Sequence, residues 1–219
     1  GAGDARDPAL GVRVAFPASL TASLSTSAPG SGPASAPPAS DEALVVNAIA
    51  RGVARAVQRL RVDAPPAMTV YVYPDRRSKE SLTGNAGDGH AVAAAAALHV
   101  LAADVSPGGG MERLVAHEAT HVITGALWGP ARSPLLGEGI AVWASGYYAG
   151  VPLSTWAERL RGWPALPSIA SLLPLRAFVA RPEAESYPFA GLAVTAAIDA
   201  VGLDRFRDHL YRASPAHSN

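Results

Sequence analysis

Met111-Glu112-Arg113-Leu114-Val115-Ala116-His117-Glu118-Ala119-Thr120-His121-Val122-Ile123-Thr124-Gly125-Ala126-Leu127 is the stretch around which the chain is read. It reads as a helix. Leu114, Val115, Val122 and Ile123 can face a core, and Gly125 is its only weak helix former. Within it stands the pattern His-Glu-x-x-His, at His117, Glu118 and His121. Residues four apart share one helix face, about 6 Å apart along the axis, so both imidazoles can reach one metal ion. Glu118 comes one residue further round and falls beside the metal. A carboxylate there can take a proton from an attacking water. The same five residues also occur in helices whose histidines are merely exposed or satisfied, so a second signal is needed.

That signal is Leu135-Leu136-Gly137-Glu138-Gly139-Ile140-Ala141-Val142-Trp143. Catalytic zinc usually takes three protein ligands and keeps a fourth position open. Glu138 is the candidate third ligand, near the start of a second apolar helix. Gly137 and Gly139 flank it and allow a close backbone approach, and Pro134 stands where a helix start tolerates proline. The loop from Gly125 to Ser133, with Gly129-Pro130 inside it, lets the second helix fold back on the first.

The pair His-Glu-x-x-His and Glu-Gly-x-Ala resembles the gluzincin group of zinc metallopeptidases. More narrowly, it resembles the peptidase-MA-like family of bacterial proteins, over roughly Asp41 to Arg212. The resemblance implies an α+β, zincin-like fold, a small mixed sheet packed on a predominantly helical core. It implies Zn2+ held by His117, His121 and Glu138, with Glu118 as general base in the hydrolysis of a peptide or protein substrate. In zincins the strand above the site binds extended substrate by backbone pairing. By resemblance that role falls on about Ala94 to Val100, with Ala96, Leu98 and Val100 as contacts. Related enzymes often supply a Tyr or His from the region after the zinc core to the oxyanion; Tyr187 is the candidate and His209 a weaker one.

The chain departs from the family's pattern at Val142, where many gluzincins carry an acidic residue one turn after the third ligand. Backbone carbonyls, or a remote acid such as Asp104 or Asp199, must then orient the histidines. No recognised amine-binding motif stands upstream of the zinc helix, which leans toward an endopeptidase over an aminopeptidase. The alternative reading is a zinc-binding, weakly active peptidase-like module with a binding or sensory role; a third is a cytoplasmic helical domain without metal.

Composition narrows the remaining classes. The formal net charge is zero, which gives no electrostatic case for nucleic acid or an anionic membrane surface. There are no cysteines, so a zinc site must use histidine and carboxylate. No run is apolar and long enough to cross a bilayer. The start of the chain lacks signal-peptide character. The expectation is an extracellular or cell-envelope protein in mature form, by family analogy, with a cytoplasmic one as the alternative, and a monomer.

Residues 1–40 read as an N-terminal strand plus a flexible Ser/Ala/Pro/Gly-rich linker (21–40), 41–213 as the peptidase-like domain, and 214–219 as a polar tail. Asp41 to Arg61 is predicted as a helix whose arginines form a solvated face, and Met68 to Tyr73 as a strand. Asp75 should cap a short helix, ahead of a glycine-rich turn from Thr83 to His90. His90 and His99 lack a partner at helical spacing and read as surface or satisfied histidines. The second apolar helix should run to Tyr148, with Tyr147 and Tyr148 as packing residues. Ile169, Leu172, Leu173, Leu175 and Phe178 are expected to pack under the site. Ser186 should open a helix that Gly202 ends, with Phe206 and Leu210 inward in a last helix.

Overall fold

The computed structural model describes residues 4–7, 11–16, 41–163 and 166–212. The linker expected over 21–40 and the tail over 214–219 lie outside the described residues. Strand β1 (Asp4–Asp7) pairs antiparallel with β2 (Val12–Ala15), which runs parallel to β3 (Met68–Tyr73). In β2 the alternation does its work: Val12 and Val14 turn inward and Arg13 outward. These valines and Phe16 join the main core, so the N-terminal strand belongs to the domain that the sequence placed from Asp41 onward.

β3 also pairs parallel with β5 (Ala97–Leu101), and β4 (Gly89–Val92) closes the sheet antiparallel to β5. The strand order is β1-β2-β3-β5-β4. Two long helices pack on the inner face of this mixed sheet, α1 (Asp41–Leu60) and α3 (Gly110–Leu127). Val70, Val72, Leu98 and Val100 from the sheet share one core with Ile49 and Val53 of α1 and Val115, Val122 and Ile123 of α3. Each such fully buried side chain contributes about 1.5–3 kcal/mol. The two helices approach closely because α1 carries Gly52: a Cβ there would stand 2.7 Å from the Glu112 carbonyl oxygen. The molecule is thus α+β, a small mixed sheet on a largely helical body.

Between β3 and β4 lies α2 (Arg76–Thr83), capped as expected by Asp75, whose Oδ1 accepts from the Ser78 N–H at 2.8 Å. Helix α4 (Pro134–Ser145) begins with the Ser133 side chain accepting from the Leu136 N–H and with Pro134 in its first turn. It stops three residues short of the expected Tyr148. Gly146 takes a left-handed conformation (φ 74°) and ends the helix, and Tyr147–Tyr148 becomes β6, a two-residue strand paired with β7 (Val151–Pro152).

The arginines of α1 keep solvent exposure, but Arg51 and Arg59 also make contacts across helices. Arg51 donates to Glu112 Oε2 at 2.9 Å and to the Val105 carbonyl at 2.8 Å, while Arg59 lies 4.0 Å over the Trp143 ring. They tie α1 to the start of α3 and to α4. A guanidinium at the end of a long apolar stem can grip a neighbouring helix in this way.

The C-terminal part is helical: α5 (Leu153–Arg161), α6 (Ile169–Leu172), α7 (Leu175–Val179), α8 (Glu183–Val201) and α9 (Leu203–Arg205), the last running into π-helical turns over Phe206–Tyr211. Of the residues expected to pack under the site, Leu172 and Phe178 are buried but Ile169, Leu173 and Leu175 are exposed, because α6 and α7 are single turns with one inward face each. In the last segment Phe206 and Tyr211 are buried and Leu210 is not. The wider π turn brings residue i+5, rather than i+4, back to the same face. No single helix among the described residues is long and apolar enough to cross a membrane.

Gly139 serves helix packing rather than approach to the site. A Cβ on it would stand 2.6 Å from the Ala190 carbonyl oxygen and 2.6 Å from Val194, so α8 could not lie against α4. Gly139→Ala is expected to cost about 1–3 kcal/mol through forced backbone shifts. Because Glu138 is its neighbour in sequence, metal binding should weaken too. Thermal unfolding and metal titration of the variant check both effects; an unchanged Tm overturns the packing argument.

Candidate metal centre

His117 and His121 leave α3 one turn apart; the helix runs on to Leu127, past the loop start expected at Gly125, and the 128–133 connection turns α4 back so that Glu138 meets them. Glu138 Oε2 lies 3.4 Å from Nε2 of His117 and 3.4 Å from Nε2 of His121. The two Nε2 atoms are themselves 3.3 Å apart. Three donor atoms therefore form a nearly equilateral triangle. A small tetrahedral cation with ligands at about 2.0–2.1 Å has ligand–ligand edges of about 3.3–3.4 Å. His117, His121 and Glu138 could thus hold a metal ion with almost no movement. All three side chains are three-quarters or more buried, at 17, 23 and 24% exposure, and open to the same groove.

The charges reinforce the geometry. Burial works against a charge on Glu138, but hydrogen bonds from His117 and His121 and their charges outweigh it and hold the carboxyl far below the usual range. Burial likewise opposes a charge on His121. The hydrogen bond to Glu138 and the negative charges of Glu138 and Glu118 win there and raise its pKa.

Glu118 is 6% exposed and sits beside this triangle in the wall of the groove. The backbone of β4 passes directly over it. A Cβ on Gly89 would stand 2.8 Å from Glu118 Oε1 and 2.7 Å from Leu114 Cδ1. Glycine at 89 is therefore a condition for bringing sheet edge and carboxylate together. The glycine-rich turn ahead of β4 is held from beneath by Lys79, fully buried, whose ammonium donates to the Asn85 carbonyl at 3.1 Å and to Asn85 Oδ1 at 2.9 Å. Asn85 Oδ1 also accepts from the Gly87 N–H at 2.9 Å, which sets the turn.

This arrangement corrects the expected substrate strand. β5 lies between β3 and β4, so its main chain is paired on both sides. Leu98 and Val100 are wholly buried in the core, and Ala96 is a left-handed residue (φ 46°) that ends a 3-10 turn before the strand. None of the three can pair with a ligand. The sheet edge beside the centre is β4, which lines a groove of about 1380 Å3 together with the turn before it. The alanine run hid this: β4 holds only Gly89-His90-Ala91-Val92, too short and too poor in strand formers to be seen.

Tyr187 lines the groove with the three metal-site residues and Glu118, its ring centroid 5.4 Å from that of Tyr148 and 5.7 Å from that of Phe178. Burial, aided by Glu138 and Glu183, pushes the Tyr187 hydroxyl well above its ordinary pKa. Tyr148, expected only to pack, lines the same groove, and burial and Glu183 push its hydroxyl up to about 12. Both phenols keep their protons in neutral solution. His209 is exposed on the terminal π-helical turns and does not line the groove.

The remote acids do not orient the histidines. Asp104 is engaged by the Ser106 N–H at 3.0 Å and the Ser106 hydroxyl at 2.8 Å, and Asp199 acts on Arg59. Val142 is a packing residue: α8 presents Gly191 to it so closely that a Cβ would stand 2.4 Å from Val142 Cγ1. His90 and His99 stack at 4.7 Å across β4 and β5, and His99 Nδ1 lies 2.8 Å from the Tyr73 hydroxyl. Burial, with the charges of Lys79 and His99, lowers the His90 pKa to about 4, so it stays neutral. Neither is part of the metal centre.

Arg113 also lines the groove and was passed over in the sequence. Its signal was available, since it precedes His117 by four residues and must share its helix face. Neither a scan against protein-family models nor a search of curated proteins finds a match to the chain.

Proposed function

We propose that the chain is a zinc-dependent metallopeptidase of the gluzincin type, acting on extended peptides or proteins. The observation that carries this reading is the triangle of His117 Nε2, His121 Nε2 and Glu138 Oε2, with edges of 3.3–3.4 Å, beside a buried glutamate in an open groove. Two imidazoles and one carboxylate, in a chain with no cysteine, suit zinc at a catalytic site. Zinc bound there would supply a Lewis acid that lowers the pKa of a water and polarises a carbonyl.

The protein's own groups do the rest. β4 offers the free edge of its main chain to an extended peptide, and pairing of that kind tolerates many sequences because its bonds come from main chain. Glu118 is held beside the scissile carbonyl by its packing under Gly89. Its carboxylate takes a proton from the attacking water and passes it to the leaving amine. The Tyr187 hydroxyl, protonated at neutral pH, donates to the carbonyl oxygen as it becomes negative.

The reading is tested by metal analysis of the purified protein and by a peptide library, with and without a chelator. One zinc per chain and chelator-sensitive cleavage are expected. A folded protein with one zinc and no cleavage of any peptide overturns the peptidase reading in favour of a zinc-binding module. Tyr187→Phe should lower kcat about 100-fold with little change in KM, as for the loss of one oxyanion donor. An unchanged kcat removes Tyr187 from the chemistry.

A further inference from the structure

The groove follows one helix, and its lining includes a cation, Arg113, that makes no carboxylate ion pair among the described residues. Gly110, Arg113, Leu114, His117, Glu118, His121, Thr124 and Gly125 of α3 all line it, so it follows the helix for about fifteen residues, or about 22 Å at 1.5 Å per residue. An extended peptide rises about 3.3 Å per residue, so six or seven residues fit along it. The metal centre stands near the middle. Near the start of α3 the β6–β7 hairpin lines the groove, and there it meets Arg113.

Arg113 is held in place by neutral groups. Its guanidinium lies 3.9 Å from the centre of the Tyr147 ring, and one terminal nitrogen donates to the Gly150 carbonyl at 3.1 Å. Its Nε is buried without a partner. No carboxylate ion pair reaches it among the described residues, whereas Arg51, Arg76, Arg181 and Arg207 each have one. The nearest acid acting on it electrostatically, Asp104, is bound to Ser106 instead. With Nε buried and one terminal nitrogen bonded to Gly150, the other terminal nitrogen is the donor left for a carboxylate at the groove wall.

Its position sets the register. Arg113 precedes His117 by four residues, about 6 Å along the axis, which is about two residues of extended peptide. We propose that Arg113 is a specificity-determining residue that selects peptides placing a carboxylate about two residues from the bond to be cut. That carboxylate is either a free C-terminus or the side chain of Asp or Glu. The inference rests on the peptidase reading above. The first source would make the enzyme release short C-terminal fragments. The second would make it an endopeptidase with an acidic subsite.

The test uses zinc-loaded protein and matched fluorescent peptides in three pairs: free acid or amide at the C-terminus, Glu or Gln two residues before the cleavable bond, and Glu or Gln two residues after it. Cleavage is read as kcat/KM. Binding is read separately by anisotropy on the Glu118→Gln protein, so that affinity is seen without turnover. One carboxylate-bearing peptide should be preferred about ten- to a hundred-fold over its neutral match, the range of a charge-assisted hydrogen bond to a desolvated group. Acid over amide identifies the terminal carboxylate, and Glu over Gln the side chain. Arg113→Gln should collapse that ratio toward one, and Arg113→Lys should restore part of it. Unchanged circular dichroism and zinc content show that the variants fold. Equal handling of both members of every pair by the wild type, or a ratio that survives in Arg113→Gln, overturns the role of Arg113 while the peptidase reading stands. If zinc is bound and no peptide is bound or cut, the peptidase reading falls and this inference with it.

Discussion

Glu118→Gln should lower kcat/KM for peptide cleavage by about 1000-fold while one metal ion per chain stays bound. A positioned general base contributes about 100- to 10000-fold, so a loss near the middle of that range corresponds to about 4 kcal/mol of barrier. The substitution is nearly isosteric. Glutamine keeps the packing under Gly89 and against Leu114 that holds residue 118 at 6% exposure. It removes only the ability to accept a proton. The metal triangle is formed by His117, His121 and Glu138, so metal content should not change. Turnover, metal analysis and Tm measured on the same sample separate the outcomes. Full activity in Glu118→Gln would overturn the base assignment. Loss of both metal and activity would instead show that the carboxylate helps to build the centre.

The second large effect is expected at the ligands. Glu138→Ala and His117→Ala should each abolish metal binding and, with it, all turnover. Without Glu138 only two neutral imidazoles remain, which is one donor short of a catalytic zinc site and leaves no anion to offset the dehydration of a divalent cation. Metal binding is also a folding term. A ligand at about 1000 times its Kd stabilises the folded state by about 4 kcal/mol. For a domain of this size each kcal/mol moves Tm by about 2–4 °C. The wild type should therefore lose about 8–16 °C in Tm on chelation, and the two variants should show no chelator response. Stoichiometric metal in both, by mass spectrometry, would overturn the centre.

Local signals were legible wherever one residue type carries a local mechanism. The capping Asp75, the proline at 134, Gly202 after α8 and the alternation of Met68–Tyr73 all lie where the chain suggested. The reading failed where neighbours decide. The cross-helix contacts of Arg51 and Arg59 on the partly solvated face of α1 had no local signal, because their partners, Glu112 and Trp143, are 61 and 84 residues away. The end of α4 was overrun because a left-handed glycine at 146 competes with two tyrosines that could extend a helix. The rotation of Tyr211 inward depends on a π turn, which has no composition of its own.

From the sequence alone came the partners of the centre. Spacing of four on a helix puts His117 and His121 on one face whatever surrounds them, and a second helix after a glycine-proline turn brings a carboxylate within reach. Those are short-range consequences of helix geometry. Only the tertiary structure decided which strand forms the sheet edge, that β4 rather than β5 lies free above Glu118, and that Arg113 stacks on Tyr147 at the groove wall. Strand order and charge pairing are set by contacts between segments far apart in the chain. Backbone pairing can be satisfied in several orders by the same local pattern, and the packing of the whole core selects among them.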